Sequence, residues 1–307
     1  MGVRDGWSML RETFTEWQED KAPQLGASLA FYSILSLAPL VVIVLAIAGA
    51  FFGDEAARGE LVSQIRGLVG TEGGQAIEEM IAHARKPTTG ILATILGTAT
   101  LLFGASGVFG QLQDALNTIW DVKPKPGRGV WGFIRDRFFS FTMVLGTGFL
   151  LLVSLALSAG LAAVGRYVGG LIPGAEAIWT VVNALVSFAV IAGLFALIFK
   201  YVPDVKIQWK DVLVGAVITA AFFTIGKLGL GLYLGTQGIG SAYGAAGSLV
   251  VLVVWVYYSA QILLFGAEFT QVYARFAGSP VVPSANAIPA DEPKQQADRR
   301  VASAVAQ

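Results

Sequence analysis

Apolar positions along this chain gather in six long runs, at residues 25–52, 90–110, 138–164, 177–199, 212–234 and 244–270, and charge is concentrated between them. Each run reaches or exceeds the roughly 20 residues that carry a helix across a hydrocarbon core of about 30 Å. The runs are continuous rather than alternating, so they read as helices and not as barrel strands. The pattern predicts an all-α integral membrane protein, with six transmembrane helices filling residues 25–275.

Between and before the runs, apolar residues recur at helical spacing. Val3, Trp7, Leu10, Phe14 and Trp17 alternate with Arg4, Arg11, Glu12, Glu16 and Glu19. This stretch is too charged for a signal peptide. Residues 1–24 are expected to form an amphipathic interfacial helix, resting on the membrane surface or packed on its own protein. In the connection at 53–89, Leu61, Ile65, Leu68 and Val69, then Ile77, Met80 and Ile81, flank Thr71-Glu72-Gly73-Gly74. Two short amphipathic helices, lying on the membrane or capping the bundle, are expected there. Residues 276–307 mix Pro, Ala, Gln and charge, and are expected to be a disordered tail.

Composition sharpens the membrane reading. Of 307 residues 55% are hydrophobic and 14% charged, with mean hydropathy +0.65; globular domains are about 25% charged. The 37 glycines suit helices that pack closely in lipid. Basic and acidic residues balance at 21 each, which argues against a nucleic-acid partner. With no cysteine, disulfides and thiol chemistry are excluded.

Charge placement orients the chain. Lys123, Lys125, Arg128, Arg135 and Arg137 fall in the second connection, Lys200, Lys206 and Lys210 in the fourth, and Arg275 follows the last run. The third connection holds only Arg166 and the fifth no basic residue. Arg58, Arg66, Arg85 and Lys86 lie in the long first connection among six carboxylates, from Asp54 to Glu79. By the positive-inside rule both termini are expected to be cytoplasmic.

Function in such a bundle sits on polar residues inside the spans. Ser28, Tyr32 and Ser36 recur at steps of four and lead to Pro39, where a kink is expected. The stripe serves helix packing or a substrate path. Asn183 must find a partner, as helix glue or in a polar cavity. Lys227 shares a helical face with Ala216, Ala220, Phe223, Thr224 and Gly231, while Val214, Ile218, Phe222, Ile225 and Leu232 lie opposite. It is therefore expected to face other helices, either snorkelling outward, lining a polar cavity that takes an anion, or held in a buried pair. Glu268 shares a face with Gln261 and Tyr257. Helical rise sets Lys227 and Glu268 at different depths, with Lys227 near residues 255–259 and Glu268 near Lys200, Lys206 or Lys210.

Several ordered motifs resemble the YihY/BrkB family of bacterial inner-membrane proteins, whose older label is ribonuclease BN-like. They are Asp20-Lys21-Ala22 with Ala27-Ser28-Leu29-Ala30-Phe31-Tyr32-Ser33-Ile34-Leu35-Ser36-Leu37-Ala38-Pro39-Leu40, then Ala115-Leu116-Asn117-Thr118-Ile119-Trp120, then Tyr201-Val202-Pro203-Asp204. The last run opens with Tyr243-Gly244-Ala245-Ala246-Gly247-Ser248-Leu249 and closes with Leu264-Phe265-Gly266-Ala267-Glu268-Phe269. The resemblance covers residues 20–275 and implies a six-helix bacterial inner-membrane protein associated with transport, including that of envelope lipids or their precursors. Tyr32, Ser36, Pro39, Asn117 and Glu268 fall on the motif positions, but the resemblance brings no catalytic or binding assignment.

The expected activity is transport of an amphipathic or anionic envelope substrate, with membrane lipids as partners. A non-transporting scaffold or envelope-assembly factor is the alternative. Transport-path candidates are Ser28, Tyr32, Ser36, Asn117, Asn183, Lys227, Gln261 and Glu268. An enzyme is not expected: the single histidine, His83, lies in the first connection, and the carboxylates fall at opposite membrane faces, so no metal, cofactor or catalytic set is assigned.

Overall fold

The computed structural model describes residues 3–53, 55, 58–59, 61–63, 78–79, 107–125, 175–237, 247–277, 279 and 281–290. In chain order these give α1 (Val3–Glu19), α2 (Ala22–Phe52), α3 (107–119), β1 (Val122–Pro124), α4 (Ala175–Tyr201), β2 (Val205–Lys206), α5 (Trp209–Gln237), α6 (Gly247–Phe276), β3 (Val282–Pro283) and β4 (Ala287–Pro289). Among the described residues three helices hold stretches long and apolar enough to cross a membrane, Ala184–Tyr201, Trp209–Gly229 and Leu249–Phe276. The predicted run at 138–164, and that at 90–110 before residue 107, lie outside the described residues.

Local sequence explains where the helices break. At the joint between α1 and α2, Lys21 takes a left-handed conformation (φ 54°), which turns the chain and is costly for a residue with a Cβ. Pro23 follows in the first turn of α2, where its missing N–H leaves no bond unmade. The helix then runs unbroken through Pro39 to Gly53, whose φ of 85° ends it. Its 31 residues amount to roughly 46 Å at helical rise.

α5 and α6 pack antiparallel through small residues. A Cβ at Gly215 would overlap Thr270, and one at Gly266 would overlap Thr219. The two threonines are fully buried. Each hydroxyl is satisfied within its own helix, Thr219 Oγ1 donating to Gly215 O at 2.7 Å and Thr270 Oγ1 to Gly266 O at 2.6 Å. Further along, Phe222 meets Phe265 and Phe223 meets Trp255 edge-on, with ring centres 6.0 and 6.2 Å apart. α4 closes the other side through Phe195, which meets Phe223 at 5.8 Å. Ala216 and Ala220 are fully buried beneath these rings, while Leu213, Val217, Ile225 and Leu228 stay exposed, as a lipid-facing side requires.

At the other end of this region Val41, Leu45 and Leu252 form a second apolar cluster, and Leu61 packs on it. The first connection therefore touches the bundle at Leu61, in the stretch expected to lie on the membrane or cap the bundle.

The stretch expected as a disordered tail from residue 276 is ordered as far as 290. α6 includes Phe276; then β3 pairs antiparallel with β2 (Val205↔Pro283), and β4 with β1 (Val122↔Pro289). Average composition hid two short β-prone pieces, around Val281 and Val282 and around Ile288, which pair with edges offered by the second and fourth connections. Lys125 Nζ adds a bond to Ala285 O at 2.9 Å, and Ala290 N one to Asp121 O at 2.7 Å. Residues 291–307 lie outside the described residues.

Candidate functional site: a carboxyl pair at the α1–α2 elbow

Three elements meet where α1 turns into α2. The elbow supplies Asp20, the turn after α3 supplies Asp121, and α6 supplies Gln261, Glu268 and Gln271 along one side. Glu268 is fully buried. Its carboxyl lies within hydrogen-bonding reach of that of Asp20, and among the described residues neither of its oxygens meets an N–H or hydroxyl donor. A bond between two carboxyls requires a proton between them. Asp20, half-buried, is pushed up from an ordinary 3.8 to about 7. Burial is the largest cause, followed by the negative charges of Asp121 and Glu16; the bond from Glu268 works the other way.

The surroundings are polar and incompletely paired. Gln271, 6% exposed, donates from Nε2 to Asp121 Oδ2 at 3.3 Å, and among the described residues its buried Oε1 has no partner. Gln261 fills the notch left by Gly26, where a Cβ would overlap its amide, and Nε2 reaches Ala22 O only at 3.5 Å. Its Oε1 is likewise buried and unpartnered. Arg275 carries the nearby positive charge, but it is bonded to Glu16 at 2.9 Å and lies 3.4 Å from Glu12.

This overturns the lysine neighbourhood expected for Glu268. Lys200 donates to Ile207 O and lies 5.6 Å from the Trp209 ring centre. The charges acting on Glu268 are those of Asp20, Glu16 and Asp121. The connection after α4 folds back on itself through that lysine bond.

The other predicted residues fall in three places. Asn117, 3% exposed, exchanges two bonds with Asp204: its Nδ2 donates to Oδ2 at 3.2 Å, and its Oδ1 accepts from Asp204 N at 2.7 Å. Gln113 Nε2 and Ser284 Oγ also reach Asp204, at 3.4 and 3.5 Å. This is a latch joining α3, the fourth connection and the tail, so Asn117 here holds structure together. In the α2 stripe, Ser28 is exposed, Tyr32 is 41% exposed and Ser36 is buried. A Cβ on Gly107 of α3 would lie 3.4 Å from Ser36 Oγ and 3.6 Å from Tyr32 Cδ1. The stripe therefore meets the end of the second predicted run at a glycine. The side chain of Asn183, in α4, lies outside the described residues.

Lys227 is half-buried on α5, and among the described residues nothing pairs with it. The adjacent Gly226 abuts Tyr258, whose hydroxyl would be 2.6 Å from an added Cβ. Glu268 lies beside the Gly266–Thr219 crossing, and Lys227 is eight residues past Thr219, roughly 12 Å at helical rise. The two residues are separate polar spots.

Asp20, Asp121 and Asp204 were not singled out from sequence. Asp20 and Asp204 stand inside quoted motifs, and that was the available signal; both read there as ordinary residues flanking a span.

Long apolar helices side by side, with their apolar residues turned outward and their polar groups turned inward, define a multi-span α-helical membrane protein. The chain belongs to the family described as Virulence factor BrkB, whose model matches residues 13–287, and it is a bacterial inner-membrane protein. It is similar to a UPF0761 membrane protein of Methylibium petroleiphilum, 29% identical over 87% of this chain and 65% of the relative. It is likewise similar to UPF0761 membrane proteins of Mannheimia succiniciproducens (25% identical, 84% of this chain, 87% of the relative) and Vibrio vulnificus (29%, 86% and 82%). The chain thus spans just under two thirds of the first of these. No solved structure matches it.

Proposed function

We propose that the protein is a six-span inner-membrane transporter, with both termini cytoplasmic, that moves an anionic amphipathic envelope substrate such as a lipid or a lipid precursor. The observation that carries this reading is Lys227. It is a half-buried cation in an apolar helix, with no acid beside it among the described residues, on the side of α5 where Ala216 and Ala220 are buried. An unneutralised charge at such a position is costly unless an anion or water meets it. Tyr32, still 41% exposed, is the second candidate on the path. Gathering of α1, the second and fourth connections and the end of α6 at one end supports the sidedness, because these segments carry most of the short-loop lysine and arginine.

A scaffold role is the second reading. It is favoured by α1, whose Trp7 and Phe14 are 72% and 51% exposed while Met9 and Thr13 are buried.

Reconstituted protein tests the first reading. Lys227→Met should reduce flux of an anionic lipid between leaflets of liposomes by tenfold or so, the effect of losing about 1.4 kcal/mol of recognition, with thermal stability unchanged. Tyr32→Phe should have a smaller effect in the same direction. Unchanged flux in both variants would remove these residues from the path, and no flux in the wild type would favour the scaffold.

A further inference from the structure

The elbow site holds more polarity than structure alone calls for. Asp204, half-buried, accepts bonds from the side chains of Asn117, Gln113 and Ser284. Glu268 faces another carboxyl instead, and Gln271 turns a buried, unpartnered oxygen into the same region. The groups around the pair are Glu12, Glu16 and Glu19 on α1, Asp20 and Lys21 at the elbow, Asp121 after α3, and Arg275 on α6. Arg275 is committed to Glu12 and Glu16. Among the described residues no three acidic or histidine side chains are placed to hold a metal ion. A proton is the one cation that a bond between two carboxyls takes by its nature.

We propose that Asp20 and Glu268 form a proton-binding site, and that its occupancy latches the α1–α2 elbow onto α6. When the site is filled, one hydrogen lies between the two carboxyls. When it empties, H⁺ leaves to water on the half-open Asp20 side, two carboxylates remain buried face to face, and their repulsion parts the elbow from α6. The proton acts as coupling ion only if the transporter reading holds; the site and the latch do not depend on it.

The test uses the purified full-length chain with no substrate. Infrared difference spectra recorded as the pH is raised should show the last protonated-carboxyl band, that of the shared proton, lost above about 7, the pH at which Asp20 gives up the first. Glu268→Gln and Asp20→Asn should each abolish that transition. With no native cysteine, nitroxide labels on Gln18→Cys and Ala277→Cys, both exposed, report the elbow directly. Their separation should increase over the same pH interval, and should be fixed in Glu268→Gln. If Glu268→Gln fails to fold, Asp20→Asn makes the same comparison from the more accessible side. Absence of the band, a transition that survives in the variants, or a label separation indifferent to pH would each overturn the proposal. A failed flux assay would remove the transporter reading and leave these results standing.

Discussion

Helix α6 meets its neighbours along two seams that treat buried polarity in opposite ways. On the α5 side, Thr219 and Thr270 are fully buried, yet each hydroxyl is bonded to a carbonyl of its own helix and its methyl rests over a glycine of the other. On the side facing α1 and α2, Gln261, Glu268 and Gln271 bring amide and carboxyl oxygens into the interior and leave several unpartnered. Both seams contain close glycine approaches, Gly215 and Gly266 in one and Gly26 in the other. From Gly215 to Thr219 the first is built to stay as it is; Asp211, one turn earlier on α5, is fully buried with neither carboxyl oxygen partnered among the described residues. The second retains groups that an apolar residue would replace without loss of packing, which is the pattern expected where a site must change state.

The largest effect should come from breaking the dry seam. Gly215→Leu places a branched side chain where even a Cβ overlaps Thr270, and overpacking of this kind costs about 1–3 kcal/mol or more. Thermal unfolding in detergent should show a large drop, with Gly266→Leu behaving alike. Thr219→Ala removes a bond within its own helix and the small contact over Gly266, and should cost about 1 kcal/mol. If the threonine variant fell as far as the glycine one, the hydroxyl and not the close approach would be holding the helices.

The polar seam should respond in the reverse sense. Gln261→Leu removes a buried oxygen without a partner and one long bond to Ala22 O. Replacing such a group by an apolar one of similar size is close to neutral, within about 1 kcal/mol, or stabilising. The same melting assay reads it, and a fall as large as that of Gly215→Leu would mean this seam too is purely structural.

Acidity separates the seams further. Asp20 has an ordinary value of 3.8 and rises to about 7 in the folded chain. Between those values the folded state holds a proton that the unfolded chain has released. Asp20's contribution to stability therefore falls as pH climbs from about 4 to about 7 and levels off beyond. Melting temperatures of the wild type should decline across that window, and Asp20→Asn should flatten the decline. Equal slopes in the two proteins would place the titration elsewhere.

The helices were legible because an apolar run long enough to span lipid has few alternative structures. The runs at 177–199, 212–234 and 244–270 became α4, α5 and α6 with ends moved by a few residues, since helical hydrogen bonding continues through interfacial residues such as Trp209 and Arg275. The separate depths of Lys227 and Glu268 were legible too, because helical rise is fixed. Glu268's partner was not. Its neighbour sits at a bend whose direction depends on one left-handed residue, Lys21, and nothing in a lysine's identity announces that conformation. The strands at 282–289 escaped notice for a related reason. They are too short to pair except with edges supplied by distant connections.

The smallest effect tests how the elbow is held from outside. Arg275 bridges α6 to Glu12 and Glu16 of α1, but its side chain is 44% exposed. An exposed ion pair is worth about 0.2–1 kcal/mol and weakens with salt. Arg275→Gln should therefore lower the melting temperature only slightly at low ionic strength and not measurably at high. Its second consequence is electrostatic. With the guanidinium gone, Glu16 acts unopposed on Asp20, so the carboxyl transition should move to higher pH while the fold persists. A transition at the same pH in Arg275→Gln would show that burial and Asp121 set the proton's affinity, with α1 contributing only the wall against which Asp20 is packed.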